Sequence, residues 1–209
     1  MSFQGWQESA LDFFEGLERE TTKAYWTAHR QVYDQAVLEP MTQLTDELTA
    51  EYGPVKILRP YRDIRFSADK SPYRTEIAAM VGSAYIRLSA AGLAAGNGRF
   101  HLTPDQLDRY RRSVADEASG ANLATITAAL AGQGIMLISH AMLKSAPRGY
   151  PADHPRLDLL RHKGLAAYRE WPVEAWLATP AAADRIREFL AVTRPLTGWL
   201  DDHVGAAAG

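Results

Sequence analysis

The chain reads as an α+β fold, a single domain in which a mainly antiparallel sheet packs with several helices. Three observations predict it. Helical periodicity fills an N-terminal part, residues 7–52, and returns in a mixed, mostly helical remainder, 103–203. Between them a middle part, 55–102, alternates strand-forming runs with turn signals. The regular strand–helix alternation that a parallel sheet requires is absent. At 209 residues, 46% of them hydrophobic, the chain suffices for one core.

Each element follows from local chemistry. Ser9 to Phe14 opens a short amphipathic helix with Phe13, Phe14 and Leu17 inward. Thr21 or Thr22 caps a longer one, because a hydroxyl oxygen accepts an otherwise orphaned backbone N–H. Its apolar positions Trp26, Tyr33, Val37, Met41, Leu44 and Leu48 recur at helical spacing; Pro40 kinks or divides it, and Gly53-Pro54 ends it. Ile57–Phe66 reads as an edge strand, since Pro60 cannot donate to a ladder, and Ile77–Leu88 as a second strand. Ser67–Thr75 is the loop between them. Gly92–Gly98 contains Asn97-Gly98, a pair suited to a hairpin turn, which makes Arg99–Leu102 a third strand.

Thr103-Pro104-Asp105-Gln106 starts a helix with a threonine cap, a first-turn proline and a glutamine positioned for a capping box. That helix runs to about Ala118, and another runs from Ala121 to Ala131. Ile135–Ile138 is a strand, with a second short piece near Met142–Lys144. Asp153 caps a helix ending in Arg161-His162-Lys163, cations where the helix dipole favours them. Leu165–Trp171 fits either element. Thr179-Pro180 starts the last helix, which buries Ile186, Phe189, Leu190, Leu196 and Trp199 and bends at Pro195.

Charge is unevenly spread. Residues 1–55 hold ten acids and three bases, residues 56–75 six bases and two acids, and residues 140–163 five bases and two acids. A nucleic-acid binder spreads basic charge widely and raises the isoelectric point, here about 6.3. Two positive islands predict a localised pocket for an acidic small molecule instead. Guanidinium and ammonium groups hold phosphate or carboxylate because they stay charged and donate several hydrogen bonds.

The first island supplies Arg62, Arg65, Lys70, Ser71, Tyr73 and Arg74 as ligand contacts, with Arg65, Lys70 and Arg74 as the clasp. The second supplies Lys144 and Arg148, the arginine held by the stiff Pro147–Gly149 turn. If a reaction follows binding, Asp63 or Asp69 is its acid–base candidate, because the six histidines show no catalytic or metal-ligand spacing. The same charges read structurally as carboxylates pinning a loop to a sheet, or as an interaction module that docks an acidic protein or a nucleic-acid backbone.

The segments RDIRFSADKSPYRT and, far downstream, LKSAPRGYPADHPRLDLLRHKGL resemble the bacterial and fungal family catalogued as domain of unknown function 2461. The resemblance runs from Phe14 to Leu200 and implies a single-domain bacterial protein, with no activity to carry over. The family's paired-asparagine motif is replaced here by Thr21-Thr22-Lys23-Ala24-Tyr25-Trp26, of which Trp26 alone fits.

The absence of cysteine excludes disulfides, thiolate zinc sites and cysteine nucleophiles, and fits a reducing cytoplasm. The first residues predict no signal peptide, and the most apolar run, Ala128–Leu143, is too interrupted to span a bilayer. No Gly-x-Ser-x-Gly elbow or phosphate loop is present, and the cofactor is left unknown. No metal is assigned, the alternatives being a histidine–carboxylate site assembled from distant segments or magnesium held by Asp63 and Asp69 beside a bound phosphate.

Overall fold

The order of strands explains the class. A computed structural model, which describes residues 2–62 and 71–207, contains a six-stranded sheet in the order β1-β2-β3-β4-β6-β5. Here β1 is Val55–Ile57, β2 Glu76–Val81, β3 Ala84–Ser89, β4 Gly92–Arg99, β5 Met136–Ile138 and β6 Leu165–Trp171. The β1–β2, β2–β3 and β5–β6 pairs are antiparallel, so the α+β class predicted from element order is the one observed. The chain's contacts gather into two compact units, Met1–Ala95 with Glu170–Phe189 and Gly96–Arg169 with Leu190–Gly209.

In the first unit, α1 (Glu8–Arg19) buries Ala10, Phe13, Phe14 and Leu17. Thr22 caps α2 (Lys23–Ala28), its side-chain oxygen accepting the Tyr25 N–H at 3.1 Å. The expected long helix then runs through α3 (Arg30–Val32), a π-helical stretch (Tyr33–Leu38) and α4 (Glu39–Tyr52). Pro40 divides it as expected: the π-helical stretch ends at Leu38 and α4 begins at Glu39, with the proline in its first turn. The Glu39 N–H reaches back five residues to the Asp34 carbonyl, so the widened turn ends where the proline, lacking an N–H, begins the next segment. Tyr33, Val37, Met41, Leu44 and Leu48 all face the core, as their spacing predicts.

The strands differ more from expectation. Of the predicted strand Ile57–Phe66, the described residues show strand at Val55–Ile57 and a bridge at Tyr61, while residues 63–66 lie outside the described residues. The predicted strand over 77–88 is a hairpin, with Val81 opposite Ala84. Gly82 turns it with φ +57°, and a Cβ there would sit 2.0 Å from the Tyr52 carbonyl oxygen. Ile77, Ala79, Val81, Ala84, Ile86 and Leu88 form the buried face. Glu76, Met80, Tyr85, Arg87 and Ser89 stand on the half-open other face.

In the second unit, α5 (Pro104–Ala115) and α6 (Glu117–Gly132) follow each other with Asp116 as the cap between them. Arg156 closes α5 by donating to the Val114, Ala115 and Asp116 carbonyls. The expected helix after Asp153 shrinks to α7 (Leu157–Arg161), and Leu165–Trp171 resolves as strand. The final helix, α8 (Ala181–His203), contains Pro195. Gly92–Gly98 is the strand β4 rather than a hairpin turn: the chain turns at residues 90–91, and Gly92 to Asn97 are buried.

Candidate functional site

Arg62 and Arg74 of the first basic island sit on a two-stranded neck. The Arg62 N–H donates to the Pro72 carbonyl at 3.0 Å and the Arg74 N–H to the Pro60 carbonyl at 2.8 Å. This is the antiparallel pattern in which Tyr61 and Tyr73 form the close, non-hydrogen-bonded pair, with both side chains on one face. Their rings are 5.4 Å apart. Tyr73 is buried and stacks on Trp26, centroids 4.6 Å apart and planes 10° from parallel. Burial raises the Tyr73 hydroxyl above its ordinary range.

Trp26 in turn contacts Tyr33 and Phe13. Arg30 lies 5.6 Å from the Trp26 ring centre, and its Nε–H is shared between both Asp34 oxygens at 2.9 Å. This side of the neck is an aromatic anchor, extended by the half-exposed Tyr61.

Alternation sends Arg62 and Arg74 to the opposite side, toward the half-open face of the sheet. There Arg74 approaches Glu76 at 4.0 Å, Glu76 pairs with Arg87 at 3.5 Å, and Arg87 binds Glu170 at 2.7 Å. Among the described residues the buried Arg74 Nε has no hydrogen-bond partner. Tyr85 stands beside this chain of charges. Burial, helped by the Glu76 carboxylate, pushes its hydroxyl up and keeps it a donor. A cleft of about 260 Å³ opens next to the network, walled by Arg87, Ser89, Gly92, Leu93, Glu170 and Trp171.

Of the residues the sequence singles out, Arg62, Ser71, Tyr73 and Arg74 belong to the first unit, and Lys144 and Arg148 to the second. Asp63, Arg65, Asp69 and Lys70 lie outside the described residues. Lys144 and Arg148 are exposed, Lys144 ahead of and Arg148 within a turn closed by the Tyr150 N–H on the Pro147 carbonyl at 3.1 Å. Other cations of that second island serve the fold: Arg156 caps α5, and the Arg161 Nε–H donates to the Leu143 carbonyl at 2.6 Å.

The sequence reading passed over Glu76, Tyr85, Arg87 and Glu170. Their signal was the strict alternation of Ala84-Tyr85-Ile86-Arg87-Leu88-Ser89, which marks one polar sheet face once the turn at Gly82 is placed. Among the described residues no three histidine, aspartate or glutamate side chains converge on a possible metal position. No described helix is long and apolar enough to cross a membrane.

Compared with known proteins, residues 9–199 match the model of a family described as Conserved hypothetical protein (DUF2461). No curated protein and no solved structure matches.

Proposed function

The chain belongs to the DUF2461 family, and we propose from its half-open sheet face that it binds a small molecule carrying a phosphate or carboxylate. Arg74 is the observation that carries this. Among the described residues its buried Nε–H has no acceptor, and Glu76, the carboxylate it approaches, lies closer to Arg87. A buried donor left unmet costs roughly 1–3 kcal/mol. An anion oxygen on the forked guanidinium removes that cost and gains a charge-assisted hydrogen bond.

Arg62 shares the face by alternation, and Ser71, Arg65 and Lys70 are the further candidate contacts that the sequence supplies in the same stretch. Tyr85, held protonated, donates to a ligand oxygen rather than acting as a base. Where chemistry follows binding, Asp63 or Asp69 takes the acid–base role. A cytoplasmic setting, expected for a cysteine-free chain, supplies phosphorylated and carboxylated metabolites.

The test is thermal stabilisation by inorganic phosphate, citrate and a panel of acidic metabolites, measured on wild type, Arg74→Ala and the double variant Lys144→Ala/Arg148→Ala. Arg74 is part-exposed, so Arg74→Ala is expected to melt no lower than wild type without ligand while losing a saturable anion response. The double variant reports whether the second island shares in binding. Identical responses of wild type and Arg74→Ala to every anion would refute the pocket. Steeply salt-dependent binding to an oligonucleotide or to polyglutamate, with no effect of small anions, would replace it with a docking surface.

A further inference from the structure

Away from that face, the second unit sets two histidines side by side. His101 follows β4 and His140 follows β5; both are exposed, with ring centres 4.3 Å apart and planes inclined at 57°. Thirty-nine residues separate them in sequence, so the fold brings them together. Backbone hydrogen bonds hold their segments: the His140 N–H donates to the Phe100 carbonyl at 2.9 Å, the Leu102 N–H to the Lys163 carbonyl at 3.1 Å, and the Lys163 N–H to the Ala141 carbonyl at 2.9 Å. Phe100 stands edge-on to His140 at 6.4 Å. The third nearby imidazole, His162, is committed elsewhere, its Nδ1 lying 2.9 Å from the Ser139 hydroxyl.

We propose that His101 and His140 form a two-histidine site for a first-row transition-metal dication, with copper(II) and nickel(II) preferred to zinc. Imidazole is a ligand for all three. The intrinsic affinity order chooses among them, and the spacing has only to allow a shared ion. With about 2.0–2.1 Å from ion to each ring nitrogen, two imidazoles put their centres roughly 4.5 Å apart when the nitrogens subtend a right angle, and roughly 5.1 Å apart in a tetrahedron. The observed 4.3 Å is short enough for both rings to reach one ion from neighbouring positions, and with two imidazoles and water as donors the divalent-ion affinity order puts copper(II) and nickel(II) above zinc. Because the stitched backbone fixes both anchor points, little ordering opposes binding. Two protein ligands leave the other positions to water or to a donor brought by an incoming molecule.

Untagged protein titrated calorimetrically with copper(II), nickel(II) and zinc(II) tests the site. The expected result is one ion per chain, with nickel tighter than zinc and a copper(II) resonance spectrum showing two nitrogen donors. His101→Ala and His140→Ala should each weaken binding about tenfold or more. Both side chains are exposed, and circular dichroism checks that the variants remain folded. His154→Ala serves as the control and should bind as wild type does. Absence of saturable binding, binding that survives His101→Ala, equal loss in His154→Ala, or a preference for zinc over nickel would each overturn the proposal.

Discussion

At Gly98 the backbone takes φ +131°, and a Cβ built there would lie 2.7 Å from the Leu165 carbonyl oxygen. The glycine therefore allows a strand to run tight against backbone of β6. Its neighbour Asn97, buried, spends its amide on the Thr193 hydroxyl at 2.9 Å. Both residues are turn formers by propensity, and both are used here for close approach and for satisfying a buried polar group. Gly98→Ala is expected to destabilise the protein, since an unfavourable φ alone costs about 1–3 kcal/mol and the backbone contact adds to it. A urea unfolding midpoint that stays at the wild-type value would contradict this account. Tyr73 and Arg74 teach the same lesson in the candidate site: adjacent in sequence, one joins the aromatic anchor and the other the charged face.

Among the elements, helices were legible where a cap and a period agreed. The α5 start is the clearest case. The Gln106 side-chain oxygen accepts the Thr103 N–H at 3.1 Å, closing the capping box, while its Nε2 donates to the Gly205 carbonyl at 3.0 Å. Gln106→Ala removes both bonds and should cost about 1–2 kcal/mol. Gln106→Glu keeps the acceptor and loses the donor, so its loss should be smaller; chemical unfolding of the pair ranks them, and equal losses would assign the whole effect to Gly205. Strands were harder to read. Val81-Gly82-Ser83-Ala84 turns a hairpin without proline or asparagine, so β2 and β3 merged into one run. In β4 the small residues that let it be buried resemble a loop. The first basic island was visible because its charges are contiguous, but its pairing through Tyr61 and Tyr73 was not, since Tyr73 and Arg74 read as loop. Glu76, Arg87 and Glu170 were not, since strand register alone assembles them.

For the molecule as a whole, three titrating groups push stability in one direction. Burial lowers the His162 imidazole below its ordinary 6.5. The Phe3 N–H, with Arg187 and Ser2, holds Glu47 below its ordinary 4.5. The Ser119 N–H and hydroxyl hold Asp116 below its ordinary 3.8. In each case the unfolded chain binds its proton at a higher pH than the folded one does, so acidification favours unfolding. The histidine contributes first: its share is complete above 6.5 and is lost as pH falls from there to the lowered folded value. The carboxylates follow, their share complete above their ordinary values and lost below. Urea unfolding measured across both windows should therefore decline in two stages. His162→Asn should flatten the first stage and leave the second, whereas Glu47→Gln should reduce the second and leave the first. If His162→Asn declines in the first window as steeply as wild type, the buried imidazole is not what senses that range, and its hydrogen bond to Ser139 is structural alone.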